Sequence, residues 1–84
     1  SSAVGERLKK LGRSRQVIVV THSPQVAAYG NNHFVVKKVN HNKDTKINVI
    51  KINLEEKIKE VARMLSGKVI TQEAIKAAKK LIEN

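Results

Sequence analysis

The stretch "VIVVTHSPQVA", residues 17–27, decides how this chain is read. Val17, Ile18, Val19 and Val20 show no alternation of apolar and polar side chains, the pattern of a strand covered on both faces, as in parallel sheets. They run straight into Thr21, His22, Ser23 and Pro24. Ser is a good N-cap type, and Pro at the first helical position gives up an N–H that would have no helical partner. The stretch therefore predicts a buried strand, then a short helix from Pro24 to about Tyr29, ended by Gly30. A strand feeding a helix is the unit of α/β folds, although 84 residues are few for covering both faces of a sheet. Ligands of open α/β sheets bind beyond the carboxyl ends of parallel strands, where His22 falls. A ring there can donate a hydrogen bond to a phosphate or a water. It can equally bond a backbone group at the strand exit, and position alone leaves both roles open.

Outward from this stretch, Val4, Leu8 and Leu11 share one side of a helix over residues 4–12, with Gly12 as its stop. Phe34–Val39 and Lys46–Ile52 read as two strands joined by the polar loop Asn40–Thr45, hence an antiparallel hairpin. Apolar residues on both faces of its second strand predict that part of the hairpin is covered. Asn53 and Glu56 have capping-box spacing, and Leu54, Ile58, Val61, Ala62 and Leu65 then fall on one helical face before Gly67. Thr71 caps a last helix with the stripe Ala74, Ile75, Ala78, Leu81 and Ile82. The predicted order is α-β-α-β-β-α-α in a single domain spanning residues 1–84.

The 17 Lys and Arg against 7 Asp and Glu give a formal charge of +10, which attracts polyanions at low salt. With one Phe, one Tyr and no Trp, aromatic stacking on single-stranded nucleic acid is disfavoured. No cysteine is present, so disulfides and thiol chemistry are excluded. No apolar run approaches the roughly 20 residues of a membrane span, and a soluble, cytoplasmic chain is expected. The basic runs Arg7, Lys9, Lys10, Arg13, Arg15 and Lys57, Lys59, Lys68, Lys76, Lys79, Lys80 read as solvated helix faces. His33 and His41 read as solvated turn and loop residues, and the three histidines lack metal-site spacing. Asp44, Glu55, Glu56 and Glu60 form no obvious acid/base pair. No G-x-x-x-x-G-K-[ST] occurs, so the chain carries no phosphate-cradling loop of its own.

The string "VGERLKKLGRSRQVIVVTHSPQVAAYGNNHFVVKK", residues 4–38, resembles the C-terminal part of the RecN family of bacterial DNA repair ATPases, SMC-like members of the ABC ATPase superfamily. The segment "EEKIKEVARMLSG", followed by Thr71-Gln72-Glu73-Ala74, resembles the end of the same family. The resemblance implies that the chain is a fragment of an ABC/SMC-type ATPase head. His22 then corresponds to the switch, or H-loop, histidine that approaches the γ-phosphate of ATP when two heads close. It also implies ATP and magnesium as cofactors of the intact protein, and as partners DNA, the rest of its own head and a second head. Double-strand break repair and recombination are the implied setting. The phosphate-binding loop, signature motif and magnesium-carboxylate strand of such a head are absent from these residues, so the fragment alone is expected to be non-catalytic and to bind no cofactor. Val4-Gly5 resembles the start of the helix after the family's D-loop, which puts Ser1 and Ser2 at or just beyond its edge. Ser23 departs from the family, which more often has an apolar residue there. A strand 17–20 cut from its sheet exposes unpaired backbone, which predicts self-association or distortion of the N-terminal half. The alternative is a stand-alone basic module that binds nucleic acid or an acidic partner.

Overall fold

The computed structural model describes residues 2–13 and 15–84, so Ser1, expected beside the D-loop, lies outside the described residues. Six elements follow in chain order: α1 (Ser2–Gly12), α2 (Pro24–Ala28), β1 (His33–His41), β2 (Asp44–Ile52), α3 (Leu54–Ser66) and α4 (Gln72–Glu83). The chain is mixed α/β, with one antiparallel hairpin and four helices among the described residues.

The two C-terminal helices follow from local sequence signals. Asn53 accepts from the Glu56 N–H at 2.9 Å, while the Glu56 carboxylate accepts from the Asn53 N–H at 3.1 Å. This reciprocal capping box starts α3 and satisfies two otherwise unpartnered donors. Gly67 ends α3 at φ 84°, a left-handed value that a side chain would strain. The Thr71 hydroxyl accepts from the Ala74 N–H at 3.1 Å and caps α4. The apolar stripes of the two helices then meet: Val61, Ala62, Ala74 and Ala78 are buried, with Ala27, Ile58, Ile75, Leu81 and Ile82 packed around them. Three of the four buried residues are alanines, so the helices approach closely but remove little apolar area from water.

The expected strand at 17–20 is not formed. These residues adopt no regular secondary structure, and among the described residues the sheet consists of β1 and β2 alone. Ile18 is 82% and Val20 98% exposed, so the expectation of a buried parallel strand is corrected, and with it the order α-β-α-β-β-α-α. A strand exists only through its ladder, and no described segment offers this run a partner.

The hairpin is longer than its sequence signal. β1 and β2 pair from His33↔Ile52 to His41↔Asp44, leaving only Asn42 and Lys43 in the turn. Asn42 takes φ 57°, a conformation that asparagine tolerates better than most residues and that closes a tight turn. The expected loop Asn40–Thr45 is therefore mostly ladder. The expected cover is confined to His33, Val35 and Ile52, which are half-buried, while Phe34, Val36, Ile47 and Val49 share an exposed face.

At the other end of the chain, α1 docks on α2 through a close approach. The Tyr29 ring lies over Gly5, the one buried residue of α1; a Cβ there would stand 2.8 Å from Tyr29 Cε2 and closer still to Cδ2. Val4 and Leu11, expected on the buried side of this helix, are exposed.

Candidate functional site

Thr21-His22-Ser23-Pro24 forms a hydrogen-bonded entry to α2. The Ser23 N–H donates to Thr21 Oγ1 at 2.9 Å, and the Ser23 carbonyl accepts from the Ala27 N–H at 3.0 Å. The Ser23 hydroxyl does not cap the helix as its residue type predicts; it turns to Gln25 Oε1 at 3.2 Å. Between these anchored neighbours His22 is exposed, and among the described residues its ring has no hydrogen-bond partner. The Ser23 backbone is tied on one side to the Thr21 hydroxyl and on the other to Ala27 while His22 is exposed, an arrangement that presents a donor or acceptor to something outside the chain.

His33 and His41 both lie in β1 rather than in a turn and a loop. His41 is exposed at the hairpin tip, but His33 is half-buried. Burial, then the Lys57 ammonium, hold the His33 ring below its ordinary pKa, against the opposing charge of Glu60.

Lys57 does not lie on the solvated outer face that its spacing predicts: it is half-buried, and its ammonium donates to the Gly30 carbonyl at 2.7 Å. Burial, then the Lys9 charge, lower its pKa. One turn further along α3, Arg63 Nε donates to Glu60 Oε2 at 3.1 Å and its terminal nitrogen to Oε1. The hydrogen bond from Arg63 holds the Glu60 carboxyl below the usual range against burial, aided by the charges of Arg63, His33 and Lys37. Helical spacing alone carries the Glu60–Arg63 signal; the contact from Lys57 crosses 27 positions and has none.

Two hollows open on the surface. One of about 300 Å³ is lined by Glu6, Lys9, Lys10, Arg13, Tyr29 and Asn84. The other, of about 140 Å³, lies where Val35, Lys37, Ile50 and Ile52 of the hairpin face Glu56 and Glu60 of α3. Of the N-terminal basic run, the structure thus brings Lys9, Lys10 and Arg13 to one groove and leaves Arg7 and Arg15 outside it. Lys59, Lys68, Lys76, Lys79 and Lys80 are exposed, as their spacing predicts. Among the described residues no cluster of three His, Asp or Glu could hold a metal ion, and no helix is long and apolar enough to cross a membrane.

No family model matches the chain. Curated relatives do. Over 79 residues, 94% of the chain, it is 52% identical to DNA repair protein RecN of Rickettsia bellii (strain RML369-C), covering 14% of that protein. DNA repair protein RecN of Streptomyces coelicolor is 41% identical over 80 residues, 95% of the chain and 14% of the relative. That of Vibrio cholerae serotype O1 is 40% identical over 82 residues, 98% of the chain and 15% of the relative. The chain thus spans about one seventh of the length of the curated relatives it matches.

Proposed function

Because the chain is a segment of the RecN family, we propose that it is the C-terminal portion of an ATP-hydrolysing DNA repair protein acting in the cytoplasm, and that His22 is its switch histidine. The observation that carries this reading is the placement of His22: an exposed ring without a partner among the described residues, held between hydrogen-bonded neighbours at the head of α2, within the stretch that resembles the family's H-loop. Preorganised donors of this kind stabilise the charge that develops on a transferring phosphoryl group.

The residues present fit only this one contact to a nucleotide. No phosphate-cradling loop occurs in the sequence, and no metal-ligating cluster stands among the described residues. The groups that hold ATP and magnesium would be supplied by the rest of the head and by a second head, with DNA engaged by the whole assembly. In that setting residues 17–20 join a larger sheet as an inner strand. Without those neighbours, their exposed apolar side chains and open backbone pair with a second copy.

The test replaces His22 by Ala in the full-length protein. Turnover of ATP should fall by roughly a hundredfold or more, the scale of removing one preorganised donor, with the thermal unfolding midpoint unchanged. Near-wild-type hydrolysis would remove His22 from the site.

A further inference from the structure

Lys9 and Lys10 on the last turns of α1 and Arg13 in the turn that follows it line one groove, the Arg13 N–H donating to the Lys10 carbonyl at 3.2 Å. Like charges lining one groove repel, and no ion pair relieves them: among the described residues the one ion pair is Arg63–Glu60. Glu6 lines the same groove, as does Asn84, which bears the terminal carboxylate of the 84-residue chain; the two offset part of the positive charge, and among the described residues neither closes an ion pair on the three cations. From α3, Lys57 adds a fourth cation close enough for Lys9 to weaken its proton affinity. Tyr29 forms part of the wall, and the hollow of about 300 Å³ is open to solvent and large enough for a phosphate group. Cations in excess that converge on an open hollow favour an anion. The excess of +10 over the whole chain favours an extended anion over a single small one. Aromatic side chains are too few here for base stacking, so the recognised part is the sugar-phosphate chain rather than the bases.

We propose that the groove of Lys9, Lys10, Arg13 and Tyr29 binds the phosphodiester backbone of duplex nucleic acid, with Lys57 reinforcing its positive field. This groove is separate from the ATP reading, since His22 is not among its lining residues, and either assignment can fail without the other.

The test titrates a labelled DNA duplex with the 84-residue chain and follows fluorescence anisotropy over a range of salt concentrations. The triple variant Lys9→Gln/Lys10→Gln/Arg13→Gln should weaken binding about tenfold and lower the slope of log K against log salt by about 2 to 3, near 0.9 per lost contact. A control with the same loss of charge at exposed positions outside the groove, Lys43→Gln/Lys46→Gln/Lys68→Gln, should change affinity by less than about threefold. Glu6→Gln should tighten binding, which keeps the proposal testable if the triple variant loses its helical circular dichroism. Equal weakening by both triple variants would mean net charge alone and overturn the groove. So would a Glu6→Gln affinity equal to wild type. Displacement of the duplex by inorganic phosphate, beyond the effect of chloride at equal ionic strength, would assign the groove to a small free anion and overturn the backbone reading.

Discussion

Val61 and Val20 are the same side chain at opposite extremes, one fully buried between α3 and α4 and the other 98% exposed in a run without regular secondary structure. Their surroundings differ in where the partners come from. A helix completes its own backbone hydrogen bonds and needs only one neighbouring face to bury its stripe, and α4 follows α3 after a short turn. A strand needs other strands for its backbone, and for residues 17–20 the described chain has none to give. Equal hydrophobicity thus yields a core in one region and an open surface in the other.

This contrast breaks most sharply at Val61. Val61→Asp buries a carboxylate among Ile58, Ala74 and Ala78 with no cation to receive it, and should cost about 4 kcal/mol or more in denaturant unfolding, enough to unfold a domain this small. Gly5→Ala comes next. The new methyl enters the space of the Tyr29 ring, so α1 must lift from α2 at about 1–3 kcal/mol, and adding Tyr29→Ala should recover part of the loss in a double-mutant cycle. Asn53→Ala removes the capping box of α3 and should cost about 1 kcal/mol, with the loss read in both α3 and its packing on α4.

In the exposed region the same kind of change should do little to the fold. Val20→Asp is expected to alter stability by less than about 0.5 kcal/mol while reducing concentration-dependent self-association in sedimentation. A stability loss as large as that of Val61→Asp would show that 17–20 belongs to the core.

The smallest effect concerns His33, whose pKa is depressed below its ordinary 6.5 by burial and then by Lys57. The folded chain binds this proton less readily than the unfolded one, so the associated stability is present above pH 6.5 and is lost as pH falls through the depressed value. Glu60, also depressed, loses its contribution in a more acidic window, below 4.5. Substituting His33→Gln should flatten the stability profile just below pH 6.5 and slightly reduce the lower window, where the Arg63 hydrogen bond to Glu60 is the larger cause and the His33 charge a smaller one.

What the sequence made legible is local. Asn53 and Glu56 act across three positions, and the stripes of α3 and α4 each repeat at helical spacing, so both are legible in the sequence. The hairpin was readable as two β-rich runs, but its turn was not, because a positive φ at Asn42 let Asn40 and Thr45 stay paired. The run 17–20 is apolar, but neither its strand nor its burial forms, because its pattern specifies what a strand wants, not whether it is supplied. Position in the sequence is the whole signal for His22, whereas the seat of Lys57 on the Gly30 carbonyl depends on how α2 and α3 meet.

Helix α2 has five residues, about one and a half turns, too few to persist in water by itself. Its helical hydrogen bonds, such as Ala27 N–H to the Ser23 carbonyl at 3.0 Å, survive because Ala27 packs on the α3–α4 core and Tyr29 on Gly5. Amide exchange at Ala27, Tyr29 and Gly30 is therefore a gauge of docking rather than of helix propensity. If α1 detaches while α3 and α4 remain closed, these amides should lose their protection before any amide of the capping box does.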